Sequence, residues 1–191
     1  MGSMALFRKS GESHGLSIAM TGVRLGDRLV QIGCADPTLV GALGSKVGLS
    51  GRACVVVTGS EMAARARRGA ERAGVLIEVE QTDLGRLPFA DSSFDLATVD
   101  STDGVLESMS PADRHACLLE TLRILVPRGR VVLIESEPRR GLAGLLRRAP
   151  AHVNNEYQAS GGPLAALGKA GFRAVRSLGE RDGFVFHEGV K

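Results

Sequence analysis

Two stretches of this chain hold residues whose type and spacing suit ligand chemistry. The first is Gln31-Ile32-Gly33-Cys34-Ala35-Asp36-Pro37, which follows an apolar run directly. Glycine there permits a tight turn, and a helix opening at Pro37 would aim its N-terminus at whatever lies above that turn. The second runs from Gln81 to Leu96 and places a carboxylate, Asp83, at the end of one predicted strand before another enters at Phe94. Groups able to move protons are sparse. His14, His115, His152 and His187 are scattered and read as surface or core residues. His152, near Asn154, Asn155, Glu156 and Tyr157, is the best placed of the four. Cys34, Cys54 and Cys117 are widely spaced among apolar neighbours, and no paired Cys or His spacing suggests a metal.

Those residues need elements to carry them. Apolar runs alternate with amphipathic stretches, the pattern of a parallel sheet covered by helices. Strands are expected at 28–32, 53–57, 76–80, 94–99 and 131–134, and a closing antiparallel hairpin at 172–178 and 183–187. Helices are expected at 38–47, with Asp36 as N-cap and Pro37 at the first position, at 61–73 ending on Gly74, at 111–125 and at 162–170. Arg65, Arg67, Arg68 and Arg72 read as the solvated face of the second helix. The least regular segment, 135–160, reads as a lid. In such sheets ligands bind outside the carboxyl ends of the strands, where strand order reverses.

Length and composition narrow the class. With 191 residues, 43% of them hydrophobic, the chain suits one domain at 23–191 with an N-terminal segment at 1–22. A formal net charge of +3 calls for no polyanionic partner, and with no Trp and one Tyr there is no platform for stacking bases. Nucleic acid is therefore disfavoured. An odd number of cysteines suits free thiols in a reducing compartment, and without a membrane span or signal-peptide core a cytoplasmic location is expected. Residues 138–148 set apolar side chains between basic clusters and would suit an anionic membrane surface or a lipid-like substrate. Gly141 and Gly144 weaken that helix, which makes a solvated lid the plainer reading.

The segment Leu87-Pro88-Phe89-Ala90-Asp91-Ser92-Ser93-Phe94-Asp95 after Asp83-Leu84, the stretch Leu119 to Ile134, and Ala170-Gly171-Phe172 occur in an order that resembles class I S-adenosylmethionine-dependent methyltransferases. The likeness is to the small type similar to the quinone-biosynthesis methyltransferases, and it runs from about Val23 to the C-terminus. It implies an α/β three-layer sandwich, a mostly parallel seven-stranded sheet with a C-terminal antiparallel hairpin. It also implies S-adenosylmethionine as cofactor and a small-molecule methyl acceptor. The implied cofactor-binding residues are Gln31, Gly33, Cys34, Ala35, Thr58, Gly59, Ser60, Asp83, Leu84, Asp100 and Ser101. Asp83 would accept the adenine amino group, which offers only donors, with the Leu84 backbone facing the ring. Asp100 and Ser101 would stand near the methionine portion and the acceptor. Asp91 and Asp95 read as turn residues.

The chain departs from that pattern in the glycine turn and at the second strand. Ala35 and Pro37 replace two glycines, which adds a Cβ and removes an N–H. Asp36, as an N-cap, would set its own carboxylate at the positive end of the helix. Gln31 stands where an acidic residue would help hold an ammonium, and Thr58-Gly59 where a carboxylate would bind the ribose hydroxyls. Two expectations follow: a methyltransferase acting on a small molecule, or a methyltransferase-like binding or scaffold protein with weak or lost cofactor binding. A dehydrogenase fits worse, because no G-x-G-x-x-G follows the first strand.

Overall fold

The computed structural model describes residues 15, 17–136, 155–181 and 183–191. Seven strands form one sheet: β1 (Arg28–Ile32), β2 (Arg52–Val57), β3 (Glu78–Gln81), β4 (Phe94–Ser101), β5 (Leu125–Ser136), β6 (Arg173–Arg181) and β7 (Phe184–Val190). Their order is β3-β2-β1-β4-β5-β7-β6. The first five run parallel, and β7 pairs antiparallel with both β5 and β6. The chain moves outward from β1 to β3, then crosses back to β4, so the switch point lies between β1 and β4.

Helices cover both faces: α1 (Pro37–Val47) and α2 (Ser60–Ala73) on one, α4 (Pro111–Ile124) and α6 (Gly162–Lys169) on the other. Two short helices, α3 (Val105–Ser108) and α5 (Asn155–Ala159), join the strand ends to these layers. The α1 boundary follows from chemistry already visible in the sequence. Asp36 accepts from Thr38 N at 2.8 Å, Pro37 needs no donor at the first position, and Leu39, Val40, Leu43 and Val47 make the buried stripe. Gly69 locks this helix in place: a Cβ there would overlap the Pro37 carbonyl oxygen, so α2 packs directly on the first turn of α1. The helical residues 17–21 place Ser17 and Thr21 in buried positions, and Arg130 donates to the Thr21 carbonyl at 3.1 Å.

Several boundaries differ from expectation. β3 opens at Glu78, because Leu76 is 83% exposed and contributes no buried face to an edge strand. β5 is three times as long as the apolar run that marks it. Leu125 already pairs with Phe94, and a bulge with Arg128 at φ +69° passes the Pro127-Arg128-Gly129 stretch before regular pairing resumes at Arg130. The C-terminal residue stabilises this bulge, as Lys191 N donates to Gly129 O and its Nζ to Leu125 O at 2.6 Å. The expected lid loses its first residues to β5 and its last to α5. Residues 137–154, with His152, Asn154 and the basic-apolar stretch, lie outside the described residues, as does His14.

Candidate functional site

The turn after β1 is pressed against the end of β4. Gly33 has φ +83°, and a Cβ on it would come within 2.7 Å of the Asp100 carbonyl oxygen, so only glycine lets the two strand ends approach this closely. Asp100 then closes the turn with its side chain. One carboxylate oxygen accepts from Ala35 N at 3.0 Å and from Asp36 N at 3.2 Å, while the other accepts from Thr102 Oγ1 at 2.7 Å and from Thr102 N at 3.4 Å. Asp100 is fully buried, and that burial pushes its carboxyl above the usual range against the pull of Thr102 and the backbone donors. The carboxylate of Asp36 is engaged by Thr38, through N and Oγ1. Two protein carboxylates thus face the donors of this turn.

Beneath the turn, Gln31 donates from Nε2 to the Gly33 carbonyl at 3.1 Å. Its Oε1 and the hydroxyl of Thr98, the residue opposite it on β4, are buried and have no partner among the described residues. Cys34 points away into the cluster between β2, α1 and α2, where burial and Asp100 push its thiol up to about 11. A small cleft of about 110 Å³ lies above, lined by Ser17, Ala35, Asp36, Leu39, Asp100, Thr102, Ile134 and Phe184. It is smaller than the roughly 300–1,000 Å³ of pockets that enclose a small molecule.

Toward the β3 edge the surface is more open. Asp83 is exposed, and one of its oxygens accepts from Gly85 N at 2.8 Å. Leu84 turns its side chain into the core. The loop that follows is stapled by Arg123, which donates to Asp91 at 2.7 Å and to the Phe89 carbonyl at 2.8 Å, and pairs with Glu120. Asp95 pairs with Arg28 at 2.7 Å. At the end of β2, Thr58 is exposed and Gly59 caps α2 with no side-chain acceptor, ahead of Ser60. Glu61, the nearest carboxylate in sequence, pairs with Arg65 at 3.2 Å.

Ser101 and Asp100 are consecutive and therefore serve opposite faces. Ser101 is buried, and its Oγ accepts from Leu106 N at 3.1 Å, so it shapes the β4–α3 connection. On that same face the structure assembles a group that the sequence reading did not single out. Tyr157 of α5 donates to Glu135 at the end of β5 over 3.3 Å, and Arg114 lies with its guanidinium carbon 4.1 Å from the Tyr157 ring centre. Arg114 also donates to the Leu106 and Met109 carbonyls at 2.7 and 2.9 Å. Burial foremost, then Glu107, pushes the Glu135 carboxyl up to about 7, opposed by Tyr157 and Arg114. A hollow of about 250 Å³ beside α4, α5 and α6 is lined by Arg114, His115, Tyr157 and Lys169 among others. The available signal was a carboxylate placed immediately after an apolar strand, Ile134-Glu135. His187 is buried in β7, where burial lowers its pKa against the opposing pull of Glu180.

Residues 30–133, more than half of the chain, match the family described as a methyltransferase domain. An uncharacterized 37.1 kDa protein in transposon TN4556 of Streptomyces fradiae is 37% identical over 114 residues, covering 60% of this chain and 31% of that protein. The ubiquinone/menaquinone biosynthesis C-methyltransferase of Cupriavidus necator is 31% identical over 130 residues, covering 66% of this chain and 51% of the enzyme. The chain thus spans about half the length, or less, of these relatives. A crystal structure of a SAM-dependent methyltransferase from Aquifex aeolicus shares the fold, with a TM-score of 0.72 at 18% identity over 93% of this chain and 88% of that one. The β1 turn, the β4 terminus and the β5 strand that build this cleft fall within the matched residues or directly beside them, and the chain belongs to the methyltransferase domain family.

Proposed function

We propose that this chain is an S-adenosylmethionine-dependent methyltransferase acting on a small molecule. The observation that carries this reading is the meeting of β1 and β4 at the switch point, where Gly33 alone permits the close approach, with Asp83 open on the same edge of the sheet. The bound cofactor would supply an electrophilic methyl group on a sulfonium. Asp83 fits the adenine amino group, because no donor among the described residues is bonded to its second oxygen. The unpartnered Gln31 Oε1 fits a donor such as an ammonium. The site fits less well elsewhere: Thr58-Gly59 offers the ribose no carboxylate, and Asp100 already holds the Ala35 and Asp36 amides. Gly33, Cys34, Ala35, Thr58, Gly59, Ser60, Leu84 and Ser101 contribute backbone shape on this reading.

Methyl transfer needs nucleophile, methyl and sulfur in line, so the chain's own contribution is positioning and exclusion of water. The quinone methyltransferase among the relatives supports a small acceptor, and the scarcity of aromatic residues argues against a nucleic acid. Three buried free cysteines support a reducing, cytoplasmic setting, and no helix among the described residues is long and apolar enough to cross a membrane. A second reading, a binding or scaffold protein that lost the cofactor, is favoured by one observation, the occupation of the turn amides by Asp100. Calorimetric titration with S-adenosylmethionine and its demethylated product separates the two. Binding tighter than tens of micromolar, weakened about tenfold or more in Asp83→Ala, is expected of the enzyme. Absence of heat and of any thermal shift points to the scaffold.

A further inference from the structure

The first donors above β1 are the amides of Ala35 and Asp36, and an anionic ligand group arriving at this helix N-terminus would need them. Both already donate to Asp100, whose other oxygen is held by Thr102. The helix N-terminus behind them is capped by the Asp36 carboxylate. Asp36 and Asp100 both line the cleft of about 110 Å³, and none of the other described residues lining it, Ser17, Ala35, Leu39, Thr102, Ile134 and Phe184, is a cation. Asp103 adds a further negative charge that Asp100 feels. Arg65, the cation felt at nearby Cys34, is paired with Glu61. Among the described residues, the charged groups lining this end of the site are Asp36 and Asp100, and Asp100, holding the two amides, disfavours an anion there.

We propose that Asp100 is a built-in competitor for a ligand carboxylate, so that the cleft discriminates among adenosyl sulfonium compounds by the presence or absence of that carboxylate. An adenosyl sulfonium whose side chain ends in an ammonium alone is held more tightly than S-adenosylmethionine itself. The latter binds only as Asp100 gives up the Ala35 and Asp36 amides. This inference rests on the cofactor reading given above and assigns Asp100 the role of specificity determinant within it.

Calorimetric titration of the full chain at neutral pH with S-adenosylmethionine, its decarboxylated form and 5′-methylthioadenosine tests the idea. In the unsubstituted protein the decarboxylated compound should bind at least tenfold more tightly than S-adenosylmethionine. Asp100→Asn, which keeps an acceptor for the amides and removes the charge, should shrink that ratio to threefold or less. If Asp100→Asn does not fold, Asp36→Asn keeps a competent N-cap and should shrink the ratio by a smaller factor, and the ratio in the unsubstituted protein decides by itself. Equal or tighter binding of S-adenosylmethionine to the unsubstituted protein, or a ratio unmoved by Asp100→Asn, overturns the inference while leaving the cofactor reading intact. Failure of all three compounds to bind overturns the cofactor reading and this inference together.

Discussion

Asp100 and Glu135 are carboxylates buried at the ends of adjacent strands, and they face opposite sides of the sheet. Asp100 is met by four donors: the Ala35 and Asp36 amides, and the Thr102 amide and hydroxyl. Glu135 receives a hydrogen bond from Tyr157 and faces the like charge of Glu107, which Arg114 only partly offsets. Burial disfavours both charges, but the donor count differs, and so does what each group does for the fold. Asp100 ties a turn to a strand end, whereas Glu135 sits poised to take up or release a proton near neutral pH.

The largest expected effect follows from removing the better-bonded member. Asp100→Ala leaves two turn amides and the amide and hydroxyl of Thr102 without their acceptor, and should lower unfolding stability by about 2–4 kcal/mol, read from denaturant midpoints. A loss below about 0.5 kcal/mol would show that these bonds contribute little and would break the contrast. Glu135 should instead reveal itself through pH. Its folded pKa, about 7, lies above the model-compound value of 4.5, so the folded protein holds this proton more tightly than the unfolded chain. That stabilisation is complete below about 4.5, declines as pH rises toward about 7, and levels off above it. Its full size is on the order of 3 kcal/mol. Urea unfolding at several pH values should show the decline in the unsubstituted protein and a flatter profile in Glu135→Gln; identical profiles would remove Glu135 from the account.

The smallest effect belongs to an exposed carboxylate used as a control. Asp95 makes a two-pronged pair with Arg28, yet both side chains are more than a third exposed. Asp95→Asn should cost less than about 1 kcal/mol and fade with added salt. A cost comparable to that of Asp100→Ala would mean that pairing, rather than burial, governs these carboxylates.

Much of the frame was legible before any coordinates. Asp36-Pro37 announced the start of α1, Gly74 the end of α2, and the apolar runs marked β1, β2 and β4 almost residue for residue, because caps, breakers and side-chain periodicity act over a few neighbouring positions. Asp100 was legible as a strand-end residue, but its bond to the Ala35 amide joins positions 65 residues apart. No local pattern encodes that separation. The same holds for the length of β5, which depends on a bulge tolerated by its neighbour β4 and on the hydrogen bonds that Lys191 makes to it. It holds also for Arg114, Glu135 and Tyr157, brought together from three elements. The amino-acid sequence by itself determined where β1, β4 and α1 begin and that a mostly parallel sheet forms. Only the tertiary structure decided that a carboxylate from β4 would take the amides of the β1 turn, since that outcome depends on how closely Gly33 lets two strand ends approach.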